Sequence, residues 1–149
     1  MSMTTIELWH EKQRRVEAFD LEGQAALFAK DGVMEHPLAP DGMPRRLVGR
    51  EEIRRVLSGA AAMAVQSGVR LVGHHSLVIH QTADPEVVVA EFVAVGESPT
   101  GRHEVPYLQV FQARDGEIVL FRDYWSIDSA GALFGEATAA AMRSGTGSP

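Results

Sequence analysis

Near residue 123 an acid stands inside an aromatic strand, and its neighbours suit it to proton transfer. Residues 118–125 read Ile-Val-Leu-Phe-Arg-Asp-Tyr-Trp, a branched and aromatic run that follows an Asp115-Gly116 turn signal. Strand alternation puts Val119, Phe121, Asp123 and Trp125 on one face, and Ile118, Leu120, Arg122 and Tyr124 on the other. Arg122 and Asp123 therefore point apart and do not simply neutralise each other. A carboxylate between Phe121 and Trp125 loses solvation, which raises its pKa unless a donor compensates. An acid tuned in this way can give and take protons at neutral pH. The competing reading is an Asp satisfied by a backbone or Arg partner. Alternation defines two faces but does not say which lines a pocket, so Asp123 belongs either to a pocket or to a subunit interface.

Other polar groups join it as candidates. Glu91 is the one charge in Val87-Val-Val-Ala-Glu-Phe-Val-Ala-Val95 and needs a partner there. It is either a second acid working with Asp123 or a surface or interface ion-pair member. His36, between Glu35 and Pro37, can polarise a carbonyl or shuttle a proton, or can pack as a loop residue. Tyr107 follows Pro106 and shares a strand face with His103, Gln109 and Phe111. Its hydroxyl can donate to a developing oxyanion, or the ring can serve the core. His74 can line a pocket or sit at an exposed edge. Trp9, Met34, Phe121 and Trp125 are expected to form pocket walls. None of the six histidines makes an HxxxH or HxH pattern, so no metal is expected. There is no Gly-x-Ser-x-Gly, no phosphate loop and no dinucleotide fingerprint, and no cofactor is expected.

These groups need elements to hold them. Thr4 and Glu7 have the spacing of a capping box, opening a helix to about Phe19 with Trp9, Val16 and Phe19 on its apolar stripe. Asp20 can cap a second helix over residues 21–30. Residues 33–38 read as extended, and Pro37, Pro40 and Pro44 stiffen the loop that follows. Gly49 precedes a helix from Arg50 to at least Leu57, which the alanines can carry to Val65 before Gly68 ends it. Four strands follow, over 69–81, 87–95, 102–113 and 117–127, with turn chemistry between them. A weak helix is expected over 130–142, and a disordered tail over 144–149. Helices followed by short-linked strands predict an α+β fold. A curved antiparallel sheet wraps the N-terminal helices, with a pocket between them, in one domain spanning residues 1–143. The strands are apolar on both sides, which predicts a homodimer through the sheet.

Composition narrows the classes. At 149 residues the chain can bury a real core as one domain, and a net charge of −6 argues against nucleic acid as a partner. Cysteine is absent, which excludes disulfides and thiolate chemistry. No apolar run approaches the ~20 residues a bilayer span needs, so no membrane partner is expected and a cytoplasmic protein is the default.

The order of elements and several short motifs resemble the nuclear transport factor 2-like superfamily, in its SnoaL-like and ketosteroid-isomerase-like branch. The resemblance is carried by Phe28-Ala-Lys-Asp-Gly32 with Glu35-His36-Pro37, by Gly49-Arg-Glu-Glu-Ile53 and by Val105-Pro-Tyr107 through Phe111. Asp115-Gly-Glu-Ile118 leading into Arg122-Asp-Tyr-Trp125 completes it, so that it covers about residues 7–127. Residues 40–51 are also similar to phenazine-biosynthesis proteins A and B. The resemblance implies a cone-shaped α+β barrel, usually dimeric, with a deep apolar pocket. It implies cofactor-free acid–base chemistry on carbonyl compounds: enone isomerisation, aldol cyclisation or help to imine condensation. Phenazine-type members carry a last-strand acid as Glu in an Arg-Glu-Phe context, where this chain has Arg122-Asp123-Tyr124. An epoxide-hydrolase relative would need an Asp-Arg-Asp set, and Arg122 faces away from Asp123. The expected function is therefore a cofactor-independent isomerase or cyclase acting on a small hydrophobic carbonyl compound. Asp123 is its general acid–base, with His36, Glu91 and Tyr107 orienting or polarising the substrate. The alternative is a protein of the same fold that binds a hydrophobic ligand without turnover.

Overall fold

Six strands form one curved, unclosed sheet whose concave side holds the helices, in a computed structural model that describes residues 2–134. The chain runs α1 (Thr5–Glu17), α2 (Leu21–Ala26), β1 (Phe28–Glu35), β2 (Arg46–Val48), α3 (Arg50–Gln66), β3 (Arg70–Gln81), β4 (Val87–Ser98), β5 (Gly101–Arg114), β6 (Glu117–Tyr124) and α4 (Ile127–Phe134). The sheet order is β2-β1-β6-β5-β4-β3. This is the expected α+β cone. The expected tail at 144–149 lies outside the described residues.

Local chemistry explains most boundaries. At the start of α1 the Thr4 side chain accepts from the Glu7 N–H and Glu7 returns the bond, which is the reciprocal cap read from their spacing. Asp20 caps α2 by accepting from the Gly23 N–H at 2.9 Å. Asp115 and Gly116 both have positive φ, 53° and 77°, the backbone that a two-residue hairpin between twisted strands requires.

Four expectations are corrected. The second helix stops at Ala26, not Lys30, because Phe28 and Ala29 are buried in β1, where Phe28 pairs with Ile118 of β6. Burial in the sheet outweighs the local helical preference of residues 27–30. β1 runs parallel to β6, and the short β2 pairs antiparallel with β1, so the sheet is the expected four-strand meander plus two strands from the N-terminal half. Gly32 fits this crossing closely, since a Cβ there would lie 2.8 Å from the Ile118 carbonyl oxygen. Strict alternation also fails at the start of β6. A register shift opposite Gln112 and Ala113 passes over Val119, so Ile118 and Phe121 both reach the core. The last helix begins at Ile127, earlier than expected.

From Phe121 onward the alternation holds, and it fixes the question left open for Asp123. One cross-strand row is Ala90–Gln109–Asp123 and the next is Phe92–Tyr107; both face inward, toward α1. The intervening row, Val78–Glu91–Leu108–Tyr124, faces outward. α1 lies across β3, β4 and β5, and its fully buried Leu8 and Trp9 join Phe28, Phe111, Phe121, Val88 and Ile53 in the main core. No described helix is long and apolar enough to cross a membrane.

Candidate active site

A cavity of about 260 Å³ lies between the concave sheet face and the four helices. Its apolar wall comes from Val16, Val56, Leu57, Ala60, Ala61 and Ala64 of α1 and α3, and from Met34, Phe92, Phe121 and Trp125 on the sheet side. Lys12, Gln13, Glu17, Gln24, His36, Tyr107, Gln109 and Asp123 supply the polar groups of the lining. An apolar chamber with a few convergent polar groups is the usual form of a small-molecule site.

Asp123 projects from β6 opposite Gln109 of β5, and the Gln109 side-chain amide donates to its Oδ1 at 3.0 Å. It keeps some accessible surface because it faces the cavity, but it lies deep in the protein. Burial pushes its pKa above the ordinary carboxylate range, while His36, the Gln109 amide and Lys12 act in the opposite direction. Arg122 takes no part, since it sits on the outer face and donates to Glu35 at 2.8 Å.

The amide of Gln109 is a junction. Its Oε1 accepts from the Trp9 indole N–H at 2.9 Å and from Lys12 Nζ at 2.8 Å. Lys12 Nζ also donates to Gln13 Oε1 at 2.9 Å, and Gln13 Nε2 donates to Glu17 Oε2 at 3.0 Å. Glu17 Oε2 then meets His74 Nδ1 at 2.5 Å. A continuous chain therefore runs Asp123–Gln109–Lys12–Gln13–Glu17–His74. Lys12 is 1% exposed, and its Nζ stands 4.5 Å from the Trp9 ring centre and 5.0 Å from that of Phe121. Burial brings its pKa down to about 7, against the pull of Asp123 and Glu17, which favour the charge.

His36 and Tyr107 complete the polar set. The Trp125 indole N–H donates to His36 Nδ1 at 3.3 Å, so the neutral ring carries its proton on Nε2. Burial lowers the His36 pKa, with Asp123 opposing. Burial and then the Asp123 charge push the Tyr107 phenol well above its ordinary value, so it stays protonated and a donor.

Six of the nine side chains read as a site from sequence line this cavity: Asp123, His36, Tyr107, Met34, Phe121 and Trp125. Three do not. Glu91 faces outward from β4, with its side chain 53% exposed, and bonds His80 at 2.6 Å. Strand alternation sends its neighbours Ala90 and Phe92 inward, so Glu91 cannot pair with Asp123. Trp9 is fully buried behind the lining, edge-on to Phe92, where it anchors Gln109. His74 lies at the far end of the polar chain, edge-on to Trp9 and Phe92. Sequence reasoning missed Lys12 and undervalued Gln109. The signal for Lys12 was its place between Trp9 and Val16, on the stripe that α1 turns inward. Among the described residues, no three His, Asp or Glu side chains gather in a group able to hold a metal ion.

Residues 9–121 match the SnoaL-like domain family, a span that contains most of the sheet and of the cavity lining and ends two residues before Asp123. An uncharacterised PhzA/B-like protein of Pseudomonas aeruginosa is 32% identical over 132 residues, covering 83% of this chain and 85% of that one. A crystal structure of a candidate isomerase from Bacillus subtilis superposes with a TM-score of 0.76 at 26% identity, over 88% of this chain and 92% of that one. A candidate polyketide cyclase from Pseudomonas putida shares the fold, with a TM-score of 0.66 at 19% identity over 89% and 98% of the two chains. With the family match spanning most of the chain and the curated relative and the fold in agreement, the chain belongs to the SnoaL-like domain family of the nuclear transport factor 2-like superfamily.

Proposed function

We propose that the cavity takes a small hydrophobic carbonyl compound, and that Asp123 moves a proton on the carbon next to that carbonyl. The observation that carries this reading is the state of Asp123. It is a deep carboxyl in an apolar chamber, held by the neutral Gln109 amide and, among the described residues, by no arginine, so it can change protonation without breaking an ion pair. Tyr107 and neutral His36 are donors on the same lining and would stabilise the oxyanion of an enolate. Abstraction at one carbon and return at another gives isomerisation; attack of the enolate on a second carbonyl gives ring closure. Family membership and the candidate isomerase and cyclase among its structural relatives support both outcomes. The reaction needs no cofactor.

The assembly proposed with this reading is a cytoplasmic homodimer. The outward row exposes Leu108 and Val78 at 38% and 49%, which a second copy of the sheet would cover.

The test is hydrogen exchange into hydrophobic ketones and enones in deuterated buffer, followed by proton NMR. The wild-type protein should accelerate exchange next to the carbonyl, and Asp123→Asn should remove most of that acceleration. Tight binding of the same compounds with no Asp123-dependent exchange would replace the enzyme with a binding protein.

A further inference from the structure

Lys12 has the surroundings of an amine nucleophile. The chain contains twelve arginines and only two lysines, Lys12 and Lys30. The basic group that α1 sends into the cavity is one of the two lysines, which can shed its proton where an arginine would not. Nζ donates to two amide oxygens, Oε1 of Gln13 at 2.9 Å and Oε1 of Gln109 at 2.8 Å. Two such bonds satisfy both hydrogens of a neutral amine and leave its lone pair for an electrophile. The ammonium form has the faces of Trp9 and Phe121 as well, so the site accommodates both charge states. With burial bringing it to about 7, a large share of Lys12 is neutral at physiological pH. Glu17 on its own helix and Asp123 on β6 resist further loss of the charge; His36 and Tyr107 share the lining, and His74 of β3 closes on Glu17.

We propose that Lys12 forms a covalent imine with a hydrophobic ketone or aldehyde held in the cavity, with Asp123 as its proton donor and acceptor. This rests on the reading that the cavity takes a carbonyl compound. The Nζ lone pair forms a bond to the carbonyl carbon, and the π pair moves to oxygen, which takes the proton of neutral Asp123. The Asp123 carboxylate then removes one proton from the nitrogen and delivers it to the hydroxyl. Water leaves as the nitrogen lone pair closes the C=N bond. Amine, ketone and neutral acid thus become protonated imine, water and carboxylate. The protonated imine withdraws electrons more strongly than the parent ketone. The carboxylate left beside it can then take the neighbouring carbon's proton, giving an enamine. Gln109 bonds both partners and fixes them relative to each other.

The test is reductive trapping. The wild-type protein is incubated with benzylacetone or hydrocinnamaldehyde and sodium cyanoborohydride across pH, then analysed by intact mass and peptide mapping. The expected product is a single adduct on Lys12, forming faster as pH rises through about 7 and levelling off above it. Lys30 is exposed and serves as the internal control. Lys30→Arg should keep the adduct, and Lys12→Met, checked for fold by circular dichroism, should lose it. A wild-type map with label on Lys30 or the N-terminus and none on Lys12 would overturn the proposal. Its failure is separable from that of the acid–base reading: Asp123-dependent exchange without a Lys12 adduct removes only the imine. A Lys12 adduct without Asp123-dependent exchange keeps the imine and removes the role of Asp123 from both readings.

Discussion

Replacing Lys12 by Met should stabilise the protein near neutral pH. An ordinary lysine titrates at 10.5 and Lys12 at about 7, so the folded state disfavours its charge by about 4–5 kcal/mol. Between those two values the unfolded chain holds a proton that the folded one lacks. Stability must therefore climb as pH rises from about 7 toward 10.5, and the penalty is present in full below that window. Methionine has similar length and removes the penalty. It also removes the bonds to Gln13 and Gln109, each contributing about 1 kcal/mol, and withdraws a positive charge from Asp123. The net expectation is a gain of about 2 kcal/mol at neutral pH, shrinking as pH rises. Urea unfolding of both proteins from pH ~6 to ~9.5 reads this directly. A wild-type stability that is flat or falls across that range, or a Lys12→Met protein several kcal/mol weaker at every pH, would refute the reasoning. Either result would mean that the amine stays charged and that the attraction of Asp123 and Glu17 outweighs its burial.

Other substitutions test separate parts of the site. Asp123 has a raised pKa, so the folded state holds its proton more tightly; it contributes stability below about 4 that is lost as pH rises through its folded value, and Asp123→Asn should abolish that slope in acid unfolding curves. Tyr107→Phe should leave the melting temperature nearly unchanged, because the ring still stacks on Phe92 at 5.3 Å, while slowing ketone exchange about 100- to 1000-fold through loss of one oxyanion donor. Glu91→Gln should change neither exchange nor imine trapping and should move stability by under about 0.5 kcal/mol, since its His80 pair is exposed. Phe121→Ala should cost about 3–5 kcal/mol by chemical denaturation, because the buried ring packs on Phe28 and Phe111 and its loss would enlarge the cavity it lines.

The legible and illegible parts of this site differ in a physical way. Asp123 and Tyr107 could be read because a strand has a period of two and aromatic neighbours mark its buried face. Which face was inner could not be read, because β5 and β6 are apolar on both sides; only the pairing Ala90–Gln109–Asp123 decided it. Glu91 was misread for the same reason, since a lone charge among valines looks buried until the sheet is known to expose that row. Lys12 was hidden by a stronger habit of reading. Charges on an amphipathic helix are assigned to the wet face, although this one stands three residues after Trp9 and four before Val16, on the dry stripe. What makes the position tolerable is supplied from elsewhere in the chain: the Gln109 carbonyl from β5, two aromatic faces from β4 and β6, and the carboxyl of Asp123. A buried cation with so many distant supports is costly to assemble and adds little to stability. Its cost is easier to understand if the amine acts on what the cavity holds than if it only fills the core.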